Sequence, residues 1–166
     1  MLAAGDSSSG PGNGGHHWLS KLIGDIQKLT HDLREVTTRI ESLPHPAASD
    51  VANACNLVTQ LMGLVIDQIQ PRQAELREMA SRSTKSPNLD RELRSLKQSG
   101  QEALGAIAVY QDTLENELQQ RQQGKQRSNQ RYALDQKALQ KLRHEAAVKV
   151  GDLLGSSEGF LRFISK

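Results

Sequence analysis

The strongest constraint in this sequence is a row of eight apolar residues, spaced alternately by three and four positions, between residues 19 and 43. This spacing puts all eight side chains on one stripe of an α-helix, and a lone helix would leave that stripe in water. Pro44 and Pro46 end the pattern. We therefore predict a helix from Trp18 to Leu43 that needs other helices to cover it. The row comprises Leu19, Leu22, Ile26, Leu29, Leu33, Val36, Ile40 and Leu43.

Similar spacing predicts two further helices before residue 118. The second begins near residues 49–50, where Ser or Asp can cap the helix, and reaches about Ala80. Pro71 lies within it, and because proline lacks a backbone donor and crowds the preceding turn, we expect a kink there. The third begins near Asn88 and keeps its apolar stripe to Leu118.

These three long helices predict an all-α fold, an antiparallel up-down-up bundle over residues 18–118 with an additional C-terminal helix. Residues 1–17 are rich in Gly and Ser, so we expect them to be disordered. Residues 119–130 contain no bulky apolar side chain and are either a polar helical extension or a linker, with Gly124 as the weak point.

Residues 131–166 predict a basic fourth helix that Gly155 ends, followed by a short apolar tail, Phe160–Ile164. This helix either joins the bundle or stands apart from it. The tail either packs over the end of the bundle or binds a partner. Both pairs of alternatives are open at the level of sequence.

Composition and motifs exclude most kinds of chemistry. Five aromatic residues are few for a β-sandwich or an α/β enzyme. No Gly-rich phosphate loop occurs, and His31, His45 and His144 are far apart and are expected to lack a ligand-type partner four residues away. We therefore predict no enzyme and no catalytic, cofactor-binding or metal site.

Cysteine content and hydropathy indicate a reducing setting. Cys55 is the single cysteine and excludes an internal disulfide. The longest apolar run, Leu61–Ile66, is far too short to span a bilayer, and the start lacks the order of a secretory signal. A cytoplasmic location is the expectation.

Charge is divided unevenly, which favours an interaction role. Residues 1–118 hold 11 Lys or Arg and 15 Asp or Glu, a net of −4, whereas residues 119–166 hold 10 and 4, a net of +6. We predict a protein partner that is steered by basic residues and anchored by apolar ones. Nucleic acid is not favoured, because Tyr132 is the single aromatic residue between Arg121 and Lys149, the span that holds most of the basic residues. Peripheral membrane contact and self-association stay open. The predicted partner-binding residues are Arg121, Lys125, Arg127 and Arg131 for steering, with Phe160, Leu161 and Phe163 as anchors.

Two segments carry a resemblance to a known family. The first-helix sequence IQKLTHDLREVTTRIESL (Ile26–Leu43) and the third-helix sequence LDRELRSLKQSGQEAL (Leu89–Leu104) follow a flexible start and a Pro-containing turn. In this order, residues 15–123 resemble the N-terminal Habc domain of syntaxins, most nearly the endosomal and vacuolar type. The resemblance implies a three-helix regulatory bundle that folds back on a SNARE helix or docks SM-family proteins during membrane fusion.

The resemblance also implies an apolar groove between the second and third helices, and a location at endosomal or vacuolar membranes through partners. No long heptad segment with the central glutamine of a SNARE motif is recognisable. The alternative is a helical structural subunit, of the secretion-system or tethering type, that oligomerises through its heptad stripes.

Overall fold

The computed structural model describes residues 17–43, 46–81, 89–124 and 129–164, and every regular element in these ranges is helical. The predicted all-α class is therefore confirmed. The long helices are α1 (His17–Ser42), α2 (Ala48–Leu64), α4 (Leu89–Gln122) and α5 (Asn129–Ile164), and the shorter α3 (Gln73–Ser81) follows α2 after a segment of eight residues. Disorder was predicted for residues 1–17, and residues 1–16 lie outside the described ranges. His17 is described and is the first residue of α1.

The segment between α2 and α3 stays helical but changes its hydrogen-bond spacing around Pro71. A π-helical turn, Val65–Ile69, is followed by a 3₁₀ turn, Gln70–Arg72. The amide of Gln70 donates to the carbonyl of Val65, five residues back. Because proline lacks an N–H and its ring collides with the carbonyl four residues earlier, a regular α-turn is disfavoured here. The interruption predicted at Pro71 thus takes the form of a π turn and a 3₁₀ turn.

Helices α4 and α5 form the most extensive helix pair and run in opposite directions. Gln136 Nε2 donates to Glu117 Oε1 at 3.2 Å near one end of the pair. Further along, Lys149 Nζ donates to Glu102 Oε1 at 2.9 Å. Residue numbers rise along α5 as they fall along α4, so the two helices are antiparallel.

Helix α1 packs against α2 on one side and α5 on the other, and α2 also packs against α4. Contacts between α1 and α5 again run in opposite directions, since Arg34 pairs with Glu158 while Arg143 Nη1 donates to the carbonyl of Leu43 at 2.7 Å. The fourth long helix therefore joins the bundle rather than standing apart from it.

One hydrophobic core contains side chains from all the long helices. Six of the eight residues in the first apolar stripe are buried, while Leu29 is half-buried and Leu43 is 41% exposed. Helix α5 contributes as fully as the others do. Its buried side chains include Ala146, Val150, Leu153, Leu154, Phe160 and Ile164.

The ends of α4 and α5 differ in how well the sequence predicted them. Helix α4 continues through the polar segment to Gln122, and Gly124 follows with a φ of 65°, a left-handed conformation that favours glycine. The predicted end of the last helix at Gly155 is wrong, because α5 continues to Ile164. The apolar tail is thus the last part of α5, where burying Phe160 outweighs the roughly 1 kcal/mol cost of a helical glycine.

None of the helices described here combines the length and apolar content that crossing a bilayer requires.

Candidate docking surface

A cleft of about 100 Å³ opens where α4 ends and α5 begins, and we call it the end cleft. Its α4 residues, from Tyr110 to Arg121, recur at steps of three or four positions apart from the adjacent pair Glu117 and Leu118. Its α5 residues, from Gln136 to Arg143, recur at steps of three apart from the adjacent pair Leu139 and Gln140. Each helix therefore presents one stripe to the cleft. The lining residues are Pro46, Tyr110, Leu114, Glu117, Leu118, Arg121, Gln136, Leu139, Gln140 and Arg143.

A buried carboxylate, that of Glu117, organises the polar wall of the end cleft. Glu117 is only 6% exposed, and its Oε1 accepts hydrogen bonds from Arg121 Nε at 3.3 Å and from Gln136 Nε2 at 3.2 Å. Arg121 also donates from Nη2 to the Tyr132 hydroxyl at 3.2 Å. Burial of a charge is costly unless it is paired and hydrogen-bonded, as it is here. The guanidinium of Arg121 is consequently held in place from two sides.

A second arginine fixes the end of α1 to this wall. Arg143 donates to the carbonyl of Leu43, just beyond the last residue of α1, where helix carbonyls lack intrahelical partners. Tyr110 lies alongside and is 3% exposed. Burial raises the pKa of the Tyr110 phenol, an effect that the charge of Arg143 partly opposes. The phenol therefore stays protonated at neutral pH.

Exposed apolar side chains cluster around the same end of the bundle. Leu43 is 41% exposed, Leu118 is 36% exposed and Tyr132 is 42% exposed. Leu118 lines the end cleft. Tyr132 accepts a hydrogen bond from Arg121, and the carbonyl of Leu43 accepts one from Arg143. Exposed apolar groups that adjoin arginine and tyrosine are typical of protein interfaces.

Of the basic residues predicted to steer a partner, Arg121 lines the end cleft. Arg131 lies in the first turn of α5 and pairs with Asp135 at 3.5 Å, with 71% of its side chain exposed. Lys125 and Arg127 lie outside the described residues.

The predicted apolar anchors lie at the opposite end of α5. Phe160 is 0% exposed and belongs to the hydrophobic core, so it offers no surface to a partner in this conformation. Leu161 and Phe163 are half-buried and pack against the same core. Of the two alternatives for the tail, packing within the chain is the one observed.

Sequence reasoning missed the apolar wall of the end cleft. It gave the third helix an apolar stripe that ends at Leu118, and this stripe reaches the end of the bundle, where Leu118 becomes exposed. The available signal was the onset of a wholly polar segment directly after Leu118. In the sequence analysis Arg143 was counted among the basic residues and was not predicted to bind a partner. Nothing in the sequence indicates its contact with Leu43.

The expectation that no histidine has a ligand-type partner four residues away is wrong for His31. Its Nε2 lies 2.9 Å from Glu35 Oε1, and Asp32 lies within the same small group. His31 and Glu35 are exposed and Asp32 is half-buried on the outer face of α1. Such surface groups are common without a metal, and we assign no metal site to this one.

Grooves on the sides of the bundle differ from what the syntaxin resemblance implies. The groove between the α2–α3 segment and α4 is lined by one apolar residue, Leu93, together with six polar or charged ones. A groove with more apolar character lies between α1 and α2, where Leu29, Leu57 and Leu64 form its floor and three aspartates are among its lining residues.

Comparison with protein-family models, with curated proteins and with solved structures found no match for this chain. The resemblance to syntaxins is therefore an expectation from sequence, and function has to be inferred from the described residues.

Proposed function

We propose that this chain is a non-enzymatic protein–protein interaction module that binds its partner at the end cleft. The observation that carries the proposal is the position of exposed Leu118 beside Arg121, whose guanidinium Glu117 and Tyr132 hold in place. Arginine is enriched at interface hot spots, holding it in place beforehand lowers the cost of binding, and exposed apolar surface next to it marks interaction sites.

The size of the cleft favours a protein partner over a substrate. Small-molecule sites commonly have volumes of about 300–1,000 Å³. At about 100 Å³, the end cleft matches a single side chain inserted from a partner's surface.

A more specific form of the proposal follows from the syntaxin resemblance. In this form α1, the α2–α3 segment and α4 are the three-helix up-down-up unit, α5 is the additional helix, and the partners are SNARE or SM-family proteins in vesicle traffic. The chain would act in the cytoplasm at endosomal or vacuolar membranes. Because the groove beside α4 is mainly polar, this form uses the end cleft for docking instead.

The alternative, a subunit that oligomerises through heptad stripes, has less support. Among the residues described, the α1 stripe faces the chain's own core over most of its length, as do the principal apolar residues of α2, α4 and α5. Self-association therefore serves as one outcome of the test below.

Site-specific photo-crosslinking tests the proposal. A benzophenone amino acid is placed at position 118, or at position 109 as a control, and the protein is irradiated in cells of its source. Val109 is also an exposed apolar residue of α4 but does not line the cleft. We expect a discrete adduct with another protein from position 118 that is absent from position 109. Equal labelling from both positions, or adducts solely with a second copy of the chain, would contradict the proposal.

A further inference from the structure

The charged groups around the end cleft differ in how far their charge is already compensated. Glu117 and Arg121 form an ion pair at 3.3 Å, so each compensates the other. Arg143 is different because, within the part of the chain that the structure describes, its hydrogen bond goes to a neutral acceptor, the carbonyl of Leu43. Among the residues that the structure describes, no carboxylate forms an ion pair with Arg143. Its charge, on a half-buried side chain in the cleft wall, is left uncompensated.

Two lysines of α5 lie close in sequence to the residues that line the cleft. Lys137 and Lys141 are exposed on α5, three residues before and one residue after Gln140, which lines the cleft. Within residues 17–43, 46–81, 89–124 and 129–164, neither lysine has an acidic partner at ion-pair distance. The exposed surface of α5 beside Gln140 therefore attracts anions.

The other wall of the end cleft is apolar. Leu114, Leu118 and Leu139 line it together with Pro46. An inserted group would thus contact hydrocarbon on one side and a guanidinium on the other. A free carboxylate would pair with the charge of Arg143 but leave the leucines exposed to water. A purely apolar group would cover the leucines but remove water from Arg143 without supplying a negative charge. The cleft requires both chemistries in one ligand.

From this juxtaposition we infer that the end cleft binds an acidic amphipathic segment of another protein. A bulky apolar side chain of the segment enters the cleft, and carboxylates of the segment pair with Arg143 in the cleft and with Lys137 and Lys141 on the adjoining surface of α5. This inference rests on the proposed function and specifies the chemistry of its partner. Opposite charges around an apolar anchor give selectivity and a faster encounter with the partner.

Two synthetic peptides of about fifteen residues, with leucines at the same helical spacing, serve as the probes. One carries glutamates between the leucines and the other carries lysines. Binding of the labelled peptides to the full chain is measured by fluorescence anisotropy. We expect the Leu/Glu peptide to bind about tenfold more tightly than the Leu/Lys peptide at about 50 mM salt, and the preference to shrink at about 300 mM.

Matched variants locate the binding. Leu118→Ser should weaken binding of the Leu/Glu peptide about tenfold, whereas Val109→Ser, also at an exposed position of α4, should leave it within about twofold. Charge reversal at Lys137 and Lys141 should weaken it about tenfold and remove most of the salt dependence. Arg162→Glu, at an exposed position near the far end of α5, is the charge control and should have a smaller effect.

Equal binding of the two peptides, or equal effects of Leu118→Ser and Val109→Ser, would overturn the inference. If crosslinking from position 118 still gave a specific adduct, the proposed function would stand and its acidic partner would be ruled out. If the peptides behaved as expected but crosslinking from position 118 gave no specific adduct, the end cleft would still prefer acidic amphipathic peptides. The proposal that the chain uses this cleft to bind a protein partner would then be rejected.

Discussion

The sulfur atom of Met62 fills the space beside Gly100, so that a Cβ built on this glycine would lie 1.9 Å from Sδ. Met62 is on α2 and Gly100 on α4, and both residues are buried. The contact explains why the third apolar stripe contains a glycine at this position. A larger residue there would force apart two helices or displace the thioether.

Gly100→Ala should therefore lower the free energy of unfolding by about 1–3 kcal/mol, as overpacking a core does. The loss is expected even though alanine is the better helix former by about 1 kcal/mol. Urea unfolding followed by circular dichroism measures it. Adding Met62→Ala should relieve the clash, so that the double variant loses less than the sum of the two single losses.

Gly105→Ala is the matched control for that substitution. Gly105 is an exposed residue of the same helix, and an added Cβ there would meet nothing within 4 Å. We expect this variant to gain about 0.4–1 kcal/mol from helix propensity and reduced chain entropy. A gain from both Gly100→Ala and Gly105→Ala would mean that Met62 moves aside without cost.

Phe160→Ala should be among the most damaging single substitutions, because the ring is completely buried. Truncating a buried phenylalanine costs about 3–5 kcal/mol. Val148→Ala, at a position of α5 that is 47% exposed, should change stability by less than about 0.5 kcal/mol. If thermal unfolding gave the two variants similar stability, Phe160 would not be a core residue, and its sequence-based role as a partner anchor would return.

Because of Asp90, part of the free energy of unfolding changes with pH in the acidic range. Its Oδ1 accepts hydrogen bonds from Arg77 Nη2 and from Gln73 Nε2, each at 3.0 Å, which join α3 to the first turn of α4. These hydrogen bonds lower the pKa of Asp90 below its ordinary value of 3.8, and the bond from Arg77 has the larger effect. Because the folded-state pKa is the lower one, the stabilisation is present above pH 3.8 and is lost as pH falls through the folded-state pKa.

Asp90→Asn should accordingly destabilise the protein near neutral pH and approach wild type as pH falls well below 3.8. Urea unfolding over a pH series measures the difference. Asp112→Asn is the control, because Asp112 is exposed on the same helix and has no ion-pair partner among the residues described. A difference between wild type and Asp90→Asn that did not change with pH would exclude this linkage.

Ser157 offers a substitution that should stabilise the fold. The residue is 0% exposed, and its hydroxyl has no hydrogen-bond partner in the described structure. Ser157→Ala removes the unsatisfied group and improves helix propensity, a combined gain of about 1 kcal/mol. Ser156→Ala should gain less, because the Ser156 hydroxyl bonds to those of Ser95 and Ser99. Equal thermal shifts for the two variants would show that Ser157 is satisfied in solution.

The regular part of the fold was predictable because its signal is local. The alternating spacing between residues 19 and 43 reports directly which face of α1 is apolar, and that face is buried except at its end. Leu43 departs from the pattern because it follows the last residue of α1, where the bundle ends and leaves it 41% exposed. Periodicity identifies an apolar face but does not show how far along a helix its neighbours extend.

The end of α5 and the end cleft were not predictable, because both depend on distant contacts. Gly155 suggested a helix end, whereas α5 continues to Ile164, and its last turns pack Phe160 and Ile164 into the core. In the cleft, Arg143 and Leu43 are 100 residues apart in sequence. Nothing in the sequence marks Glu117, which is buried in the polar wall and accepts a hydrogen bond from Gln136 of α5.

In the proposed arrangement the chain closes its own core and leaves the end cleft for a different protein. Light scattering on the full chain at low and high salt tests this arrangement. We expect the mass of a single chain, 18.3 kDa, at both salt concentrations. A stable dimer or larger species that Leu118→Ser dissolves and Val109→Ser does not would contradict it, because the end cleft would then bind a second copy of the chain.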